Sequence, residues 1–350
     1  MNQLKIMLIC LMAWLLAWPA HAQMHRMDVL KPVAGREPFH PAADPSRPGR
    51  VVYHLYITDT TVNYTGKKVK AIAINGSIPG PVLYFTEGDT AEIHIHNEMM
   101  METSVHWHGL IIPNQYDGVS YLTTPPILPM QTYVASFPIV QSGTYWYHSH
   151  TMLQEQSGEY GGLVIYPRKR DSLKEYTVLL SDWTNEKPAE VQRRLHNATD
   201  WYAIRKGSVQ DYAAAIREYH FGTKLTNERK RMLAMDVSDV YYDRMLANGR
   251  QQDEQPGFKA GDKVRLRVIN GSASTYFWLS FAGGMISVVA NDGKDVEPVP
   301  VDRLIVGTSE TYDVMVTLPG KGSYEFLATS EDRTRTASVW LGEGKKIKAA

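Results

Sequence analysis

Cysteine is nearly absent from this sequence of 350 residues, and the one cysteine is Cys10. It lies within residues 1–22, where one lysine precedes an apolar run that ends in the small-residue triplet Ala20-His21-Ala22. This is the pattern of a cleaved secretory signal. We therefore expect an exported protein, periplasmic or extracellular, whose mature chain has no cysteine. Such a chain has no disulfide and no thiolate to act as a nucleophile or a metal ligand, although an oxidising compartment would permit disulfides.

An excess of positive charge is also missing, because 37 Lys and Arg residues balance 37 Asp and Glu residues. No basic surface is therefore indicated that could neutralise a phosphate backbone, and nucleic acid is not an expected partner. After residue 22 no apolar stretch approaches about 18 residues, the length of a spanning helix, so we expect no membrane span. The sequence also lacks a Gly-rich phosphate loop and a Gly-x-Ser-x-Gly turn, which argues against nucleotide chemistry and against a serine hydrolase.

What the sequence does contain is a succession of short segments rich in β-branched and aromatic residues, each bounded by Gly, Pro, Asn or Asp. The first group spans 51–58, 69–74, 82–85, 91–96, 105–112, 132–137, 143–148 and 162–166. The second group spans 176–181, 264–270, 276–281, 285–290, 303–306, 311–317, 322–328 and 337–341. This pattern predicts two antiparallel sandwiches or barrels, which we place at 51–168 and 169–342.

Three segments lack this strand pattern. Residues 23–50 contain five prolines and little periodicity, which predicts an extended leader. Residues 187–235 are predicted to form a mostly helical insertion in the second domain, with Ser208 and Asp211 as a candidate capping box for one of its helices. Residues 343–350 are predicted to be a linker or tail.

Four of the twelve histidines fall in two short motifs, His106-Trp107-His108 and His148-Ser149-His150. Residues i and i+2 of a strand share a face about 6.6 Å apart, so each pair aims two imidazoles in one direction. The chain between the motifs is long enough to leave on one strand and return on another, which would bring four neutral imidazoles together. Imidazole ligands suit copper, zinc, iron or nickel, and the spacing leaves the metal open. The alternative is that these histidines merely fill aromatic-rich strand ends.

The two histidine motifs also carry a family resemblance. His-Trp-His-Gly-Leu at 106–110 and Gln-Ser-Gly-Thr-Tyr-Trp-Tyr-His-Ser-His at 141–150 resemble segments of the multicopper oxidases, in particular the laccase-like periplasmic copper-resistance oxidases of bacteria. The similarity runs from about residue 51 to residue 341. Supporting segments lie at 113–119, 154–156, 161–165, 265–272 and 310–314.

The resemblance implies a fold class and a set of site residues. The fold would be all-β, with two tandem cupredoxin-like Greek-key sandwiches, and copper would be the cofactor of a trinuclear cluster that reduces dioxygen to water. His106 takes the position of a type 2 copper ligand, and His108, His148 and His150 take positions of type 3 copper ligands. Asp117 falls where such oxidases often keep an acidic residue that helps to supply protons, although an Asp-Gly pair is also ordinary turn chemistry.

The sequence lacks the metal-binding motifs that a third cupredoxin domain supplies in this family. It has no second set of histidine motifs, and it lacks the Cys-containing motif of the mononuclear blue copper site. We therefore expect the N-terminal portion of a longer laccase-like oxidase that acts on Cu(I) or phenols. This chain alone should not turn over, because the missing domain must be present in cis or in trans. The alternatives are a periplasmic copper-binding or storage module without oxidase turnover, and a purely structural pair of sandwiches.

Two further groups of side chains each have two interpretations. His94 and His96 alternate with isoleucines, which predicts a solvated strand face, with a surface copper site as the alternative. Met99, Met100 and Met101 offer thioethers that suit Cu(I), yet methionine is also a common gap filler. The isolated histidines are read as structural or solvent-facing: His25, His40, His54, His196 and His220.

Overall fold

The computed structural model describes residues 49–197, 200–230 and 240–350. The predicted signal at 1–22 lies outside the described residues. So do residues 23–48 of the predicted leader and residues 231–235 of the predicted insertion. In the part of the chain that is described, no helix is both long enough and apolar enough to span a membrane.

Eight strands build the first sandwich. They are β1 (Arg50–Val62), β2 (Val69–Ile74), β3 (Gly80–Thr86), β4 (Thr90–Asn97), β5 (His106–His108), β6 (Thr132–Pro138), β7 (Gly143–His148) and β8 (Tyr160–Tyr166). Two four-stranded sheets result, with the strand orders β2-β1-β4-β6 and β3-β8-β7-β5. Because apolar residues alternate with polar ones along the strands, each sheet buries one face. Leu55, Ile93 and Phe137 from one sheet meet Phe85 and Tyr147 from the other in a common core.

Twelve strands build the second sandwich. They are β9 (Lys174–Trp183), β10 (Arg244–Ala247), β11 (Gln252–Gln255), β12 (Lys263–Asn270), β13 (Phe277–Phe281), β14 (Ile286–Asn291), β15 (Lys294–Val301), β16 (Leu304–Val306), β17 (Thr311–Thr317), β18 (Ser323–Ser330), β19 (Thr336–Leu341) and β20 (Lys346–Ile347). One sheet has the order β10-β9-β12-β17-β14-β15, and the other has the order β11-β19-β18-β13-β16, with β20 beside β18. Leu266 and Val314 from the first sheet share a core with Phe277 and Phe326 from the second. The predicted all-β class with two sandwiches is confirmed, and the predicted domain boundaries stay predictions.

The sheets are mixed, whereas the strand pattern predicts purely antiparallel ones. β1 pairs with β4 in parallel, as do β3 with β8 and β9 with β12. The chain between β1 and β4 passes through β3, which belongs to the opposite sheet. Alternation of apolar and polar residues records which face is buried but carries no information about which strand lies alongside, so the direction of pairing could not be read from it.

The predicted helical insertion is confirmed in its described part. It contains α1 (Pro188–His196), α2 (Trp201–Lys206), α3 (Tyr212–Arg217) and α4 (Phe221–Lys230). The predicted capping box is only half right. Asp211 caps α3, because its carboxylate accepts the amide hydrogen of Ala214 at 2.6 Å. Ser208 instead donates its hydroxyl to the carbonyl of Ala203 at 3.0 Å and so belongs to the end of α2.

A buried network of polar side chains ties the two sandwiches together. The Arg267 guanidinium donates to the Asp313 carboxylate at 2.8 Å and to Glu175 at 3.0 Å. Thr144 on β7 donates its hydroxyl to the other oxygen of Asp313 at 2.5 Å. Thr311 donates to the carbonyl of Thr144 at 2.8 Å. The network therefore fixes β7 of the first sandwich against β12 and β17 of the second. Because β7 also carries His148, the network fixes the position of this histidine as well.

We predict that Arg267→Met destabilises the chain strongly. The substitution leaves the buried carboxylate of Asp313 without the Arg267 guanidinium, whereas Glu175 keeps its ion pair with Arg265. Removing one partner of a buried ion pair costs about 3–5 kcal/mol. Urea denaturation measures the change in the free energy of unfolding. The matched control is Arg303→Met at an exposed position, which should change it by less than about 0.5 kcal/mol. Similar losses in both variants would contradict the role given to the network.

Candidate metal centre

The pairing of β5 with β7 sets the positions of the motif histidines. These antiparallel strands place His106 opposite His148 and His108 opposite Trp146. Trp107 and Tyr147 lie opposite each other and are buried in the first core. Since side chains alternate across a strand, the histidines of β5 and β7 share the other face.

On that face the imidazoles lie close together. His106, His108 and His148 each offer a ring nitrogen, and these nitrogens lie within 4.8 Å of one another. The shortest contact joins His108 Nδ1 and His148 Nε2 at 3.3 Å. The ring of His150, just beyond β7, has its centroid 4.8 Å from that of His106 and 5.0 Å from that of His148. The structure thus brings together all four histidines that the sequence singles out.

Hydrogen bonds orient two of these rings. His106 Nδ1 lies 2.7 Å from the carbonyl oxygen of Asp117, and His148 Nδ1 lies 2.9 Å from the carboxylate of Glu155. Both acceptors require a hydrogen on Nδ1, so the tautomer assigned from these partners leaves the Nε2 lone pair free to bind a metal. Sequence reasoning missed this role of Glu155. The residue lies in a segment that resembles the family, but spacing alone does not link it to His148.

Burial favours the uncharged form of three of these imidazoles. It lowers the pKa of His106 and of His150, and it lowers the pKa of His108 to about 4. Positive charge on neighbouring histidines of the group disfavours protonation further. Neutral imidazoles have the lone pairs that a transition metal needs. The group can therefore accept a metal ion without first releasing protons.

Asp117 lies beside this group and also forms a turn. It follows a short 3-10 helix at Asn114–Tyr116, and its carboxylate lies 3.4 Å from His106 Nδ1. Thr123 donates its hydroxyl to the same carboxylate at 3.3 Å. Gly118, the next residue, has a φ of 85° and lies against the Val105 carbonyl. The structure therefore agrees with both interpretations of the Asp117-Gly118 pair, as an acidic residue beside the histidines and as a turn.

The second sandwich forms part of the wall around the histidines. Trp146 stacks on His148 with a centroid distance of 4.0 Å, and it packs with Leu179 and Ile269 of the second sandwich. A cavity of about 390 Å³ opens beside His108 and is lined on the other side by residues that include Asp292 and Glu310. The histidine group therefore lies at the junction of the two sandwiches.

A buried carboxyl supports the segment that carries His150. Glu159 is fully buried, and burial raises its pKa to about 8. The Thr103 hydroxyl lies 2.7 Å from Glu159 and 2.8 Å from the side-chain oxygen of Gln154, which also accepts the Ser149 hydroxyl at 2.9 Å. One hydroxyl hydrogen cannot serve two acceptors. A protonated Glu159 resolves this, because it donates to Thr103, which in turn donates to Gln154.

The other side chains that the sequence left open differ in their burial. Met99 is buried in the first core, whereas Met100 and Met101 are exposed. His94 and His96 lie on the outer face of β4, as their alternation with buried isoleucines predicts. His54 is not isolated as expected, because the parallel pairing of β1 with β4 places it beside His94.

Comparison with known proteins assigns the chain to a family. Two family models, both described as multicopper oxidase, match residues 56–170 and 174–345. The chain is 39% identical over 309 residues to copper resistance protein A of Escherichia coli, covering 85% of this chain and 51% of that protein. It is 40% identical over 294 residues to copper resistance protein A of Pseudomonas syringae pv. tomato, covering 81% of this chain and 48% of that protein.

Solved structures extend the comparison to the fold. The crystal structure of Fet3p, described as a multicopper oxidase that functions in iron import, superposes with a TM-score of 0.66 and 20% identity over 86% of this chain and 54% of that chain. The chain belongs to the multicopper oxidase family, a family of copper-dependent oxidoreductases. The predicted tandem cupredoxin domains are confirmed. The chain spans about half the length of the curated relatives it matches.

We predict that Gly118→Ala displaces His106. A Cβ at residue 118 would lie 1.8 Å from the Val105 carbonyl oxygen, and this backbone cannot retreat without moving the adjacent His106. We expect the copper affinity of the histidine group to fall by about tenfold or more, as it does when a ligand loses its orienting partner. Gly66→Ala is the control, because residue 66 also has a positive φ but faces open space. Equal copper binding by both variants would contradict this prediction.

We predict that Glu159→Gln removes a pH-dependent loss of stability. The ordinary pKa of Glu159 is 4.5 and burial raises it to about 8, so the unfolded chain releases this proton at lower pH than the folded chain. The free energy of unfolding therefore falls as pH rises between these values, by roughly 3 kcal/mol at pH 7. Glutamine stays neutral, so the stability gain over the wild type should grow from pH 4.5 to pH 8 in urea denaturation. The exposed control Glu297→Gln should show no such growth, and parallel profiles for Glu159→Gln and wild type would refute the assignment.

Proposed function

We propose that this chain forms the N-terminal portion of a laccase-like multicopper oxidase that takes part in copper resistance. The family membership and the relatives named copper resistance protein A support this proposal. The observation that carries it is the convergence of ring nitrogens from His106, His108 and His148, with the His150 ring adjacent. The reaction would oxidise Cu(I) or a phenolic substrate and reduce dioxygen to water.

The donor chemistry fits copper. In our assignment His106 holds the type 2 copper, and His108, His148 and His150 hold part of the type 3 pair. Neutral imidazoles whose Nδ1 atoms are engaged by Asp117 and Glu155 direct lone pairs toward a shared space. When bound there, copper would supply the one-electron steps that together reduce dioxygen.

The remaining roles belong to side chains around the histidines. Trp146 covers one side of His148 and keeps bulk water from that ring. We assign to Asp117 the supply of protons, because its half-exposed carboxylate lies 3.4 Å from His106 and can exchange protons with solvent. Thr123 holds this carboxylate through its hydroxyl. Asp117 would thus link the solvent to the copper ligands.

The other half of the cluster must come from a further cupredoxin domain, in cis or in trans. A blue copper site needs a cysteine thiolate, and beyond Cys10 the sequence has none. Dioxygen reduction needs a site that collects electrons singly as well as a cluster that delivers them together.

We also propose that residues 1–22 direct export to the periplasm or the extracellular space, and that the cupredoxin domains span 51–168 and 169–342.

The second candidate function is a periplasmic copper-binding or storage module without oxidase turnover. The histidine group favours it, because clustered imidazoles can hold copper without an electron-entry site. Oxygen uptake with a phenolic substrate separates the two functions. The copper-loaded chain should consume oxygen only when a third-domain chain is added. Bound copper with no oxygen uptake under either condition would favour the storage module.

We predict that changing both His106 and His148 to Ala abolishes copper binding at the candidate centre. Losing an orienting partner of a ligand weakens metal binding by about 10- to 100-fold, and losing two ligands should weaken it more. Copper bound per chain after desalting measures the loss. The control changes the exposed His196 and His220 of the insertion to Ala and should retain the copper. Unchanged copper content in the first variant would overturn the site assignment.

A further inference from the structure

A second group of histidines lies on the outer face of the first sandwich. His54 on β1 lies beside His94 on β4, and Tyr56 lies beside His96, because β1 and β4 run in parallel. The intervening leucine and isoleucines are buried, so the histidines face outward. β1 and β4 belong to the sheet that does not contain β5 and β7. This group is therefore separate from the candidate metal centre.

Two nitrogens of this group face each other. His54 Nδ1 and His96 Nε2 are 3.0 Å apart. Metal–nitrogen bonds of about 2.0–2.1 Å place two adjacent ligand nitrogens about 2.8–3.4 Å apart, so the observed separation suits two ligands of one ion. An ion would lie to one side of the line that joins them. Rotation of each ring about its soft terminal torsion can direct both lone pairs there.

A hydroxyl on the neighbouring strand can hold His96 in the tautomer that a metal requires. Its Nδ1 lies 2.8 Å from the hydroxyl of Thr132 on the neighbouring strand β6. With the hydrogen on Nδ1 donated to Thr132, the Nε2 lone pair is directed toward His54. Metal-binding histidines are oriented in the same way by an acceptor at the other ring nitrogen.

Aromatic and charged neighbours position the two rings. Tyr56 stacks on His96 with a centroid distance of 4.4 Å, and His94 stacks on His54 at 4.6 Å. His94 is itself fixed by Glu92, whose carboxylate lies 2.8 Å from its Nε2 and also pairs with Arg50. The exposure of His54 leaves the pair of nitrogens open to solvent, from which an ion can enter.

We propose that His54 and His96 bind one divalent transition-metal ion on this face, and that Cu²⁺ binds there most tightly. Imidazole ligands suit copper, nickel and zinc, and copper stands highest in the affinity order of the divalent metals. Water completes the coordination of the ion. Tyr56, His94 and Thr132 act as positioning residues, because each holds a ligand ring without itself supplying the paired nitrogens. The site needs no residue from a further domain.

Cu²⁺ titration of the whole chain tests this proposal. The variant His54→Ala/His96→Ala should bind one equivalent of Cu²⁺ fewer than the wild type, and its Cu²⁺ EPR spectrum should lose the nitrogen splitting of this imidazole pair. The matched control His196→Ala/His220→Ala also removes two histidines and should bind as the wild type does. In the background His106→Ala/His148→Ala the outer-face equivalent should persist, so failure of the candidate centre and failure of this site are distinguishable.

Three outcomes would overturn the proposal. These are an unchanged Cu²⁺ stoichiometry in His54→Ala/His96→Ala, an equal loss in the His196→Ala/His220→Ala control, and loss of the outer-face equivalent in the His106→Ala/His148→Ala background. Should the first variant fail to fold by circular dichroism, Thr132→Val decides, since it keeps both ligands and removes the partner of His96 Nδ1. We expect it to weaken Cu²⁺ binding about tenfold. An unchanged affinity in Thr132→Val would refute the site.

Discussion

The register between β5 and β7 is the constraint on which the candidate metal centre depends. The same pairing that sets His106 opposite His148 buries Trp107 and Tyr147 in the first core. A slip by one residue would turn the histidines inward and expose these two aromatic side chains. Burial of a large apolar side chain contributes about 1.5–3 kcal/mol, so the core enforces the register. The register in turn places the imidazoles on one face.

The second sandwich holds this arrangement in place from outside the first core. Thr144 and Trp146 belong to the histidine-bearing strand β7, and both contact the second sandwich. Arg267 and Asp313 lie in segments that resemble the family, and they pair directly across β12 and β17. Their resemblance to the oxidases thus has a structural explanation, because they complete the network that anchors β7. The sequence separates these partners widely, so only the folded chain reveals their contact.

The sequence predicted what local spacing can encode and missed what depends on strand order. The doubled histidines were enough for the convergence of the rings, and the alternation of apolar residues was enough for the all-β class. Helical spacing was enough for the helical insertion. They were not enough for the exposed strand β15 (Lys294–Val301), in which burial does not alternate. Glu159 was missed because its role arises from a contact with Thr103 in a distant segment. Glu155 was missed because its spacing from His148 does not by itself indicate a contact. The parallel pairing that brings His54 to β4 was missed for the same reason.

The two histidine groups differ in how the protein prepares them for a metal. At the candidate centre burial favours the neutral form of His106, His108 and His150. Backbone and carboxylate acceptors fix Nδ1 of His106 and His148. The conformational entropy of these rings is therefore lost on folding rather than on metal binding, which favours affinity. On the outer face stacking by Tyr56 and His94 restrains the rings, but solvent still reaches them. Such a face suits an ion that exchanges with solvent, whereas the less exposed rings of His106, His108 and His148 suit ions that stay bound.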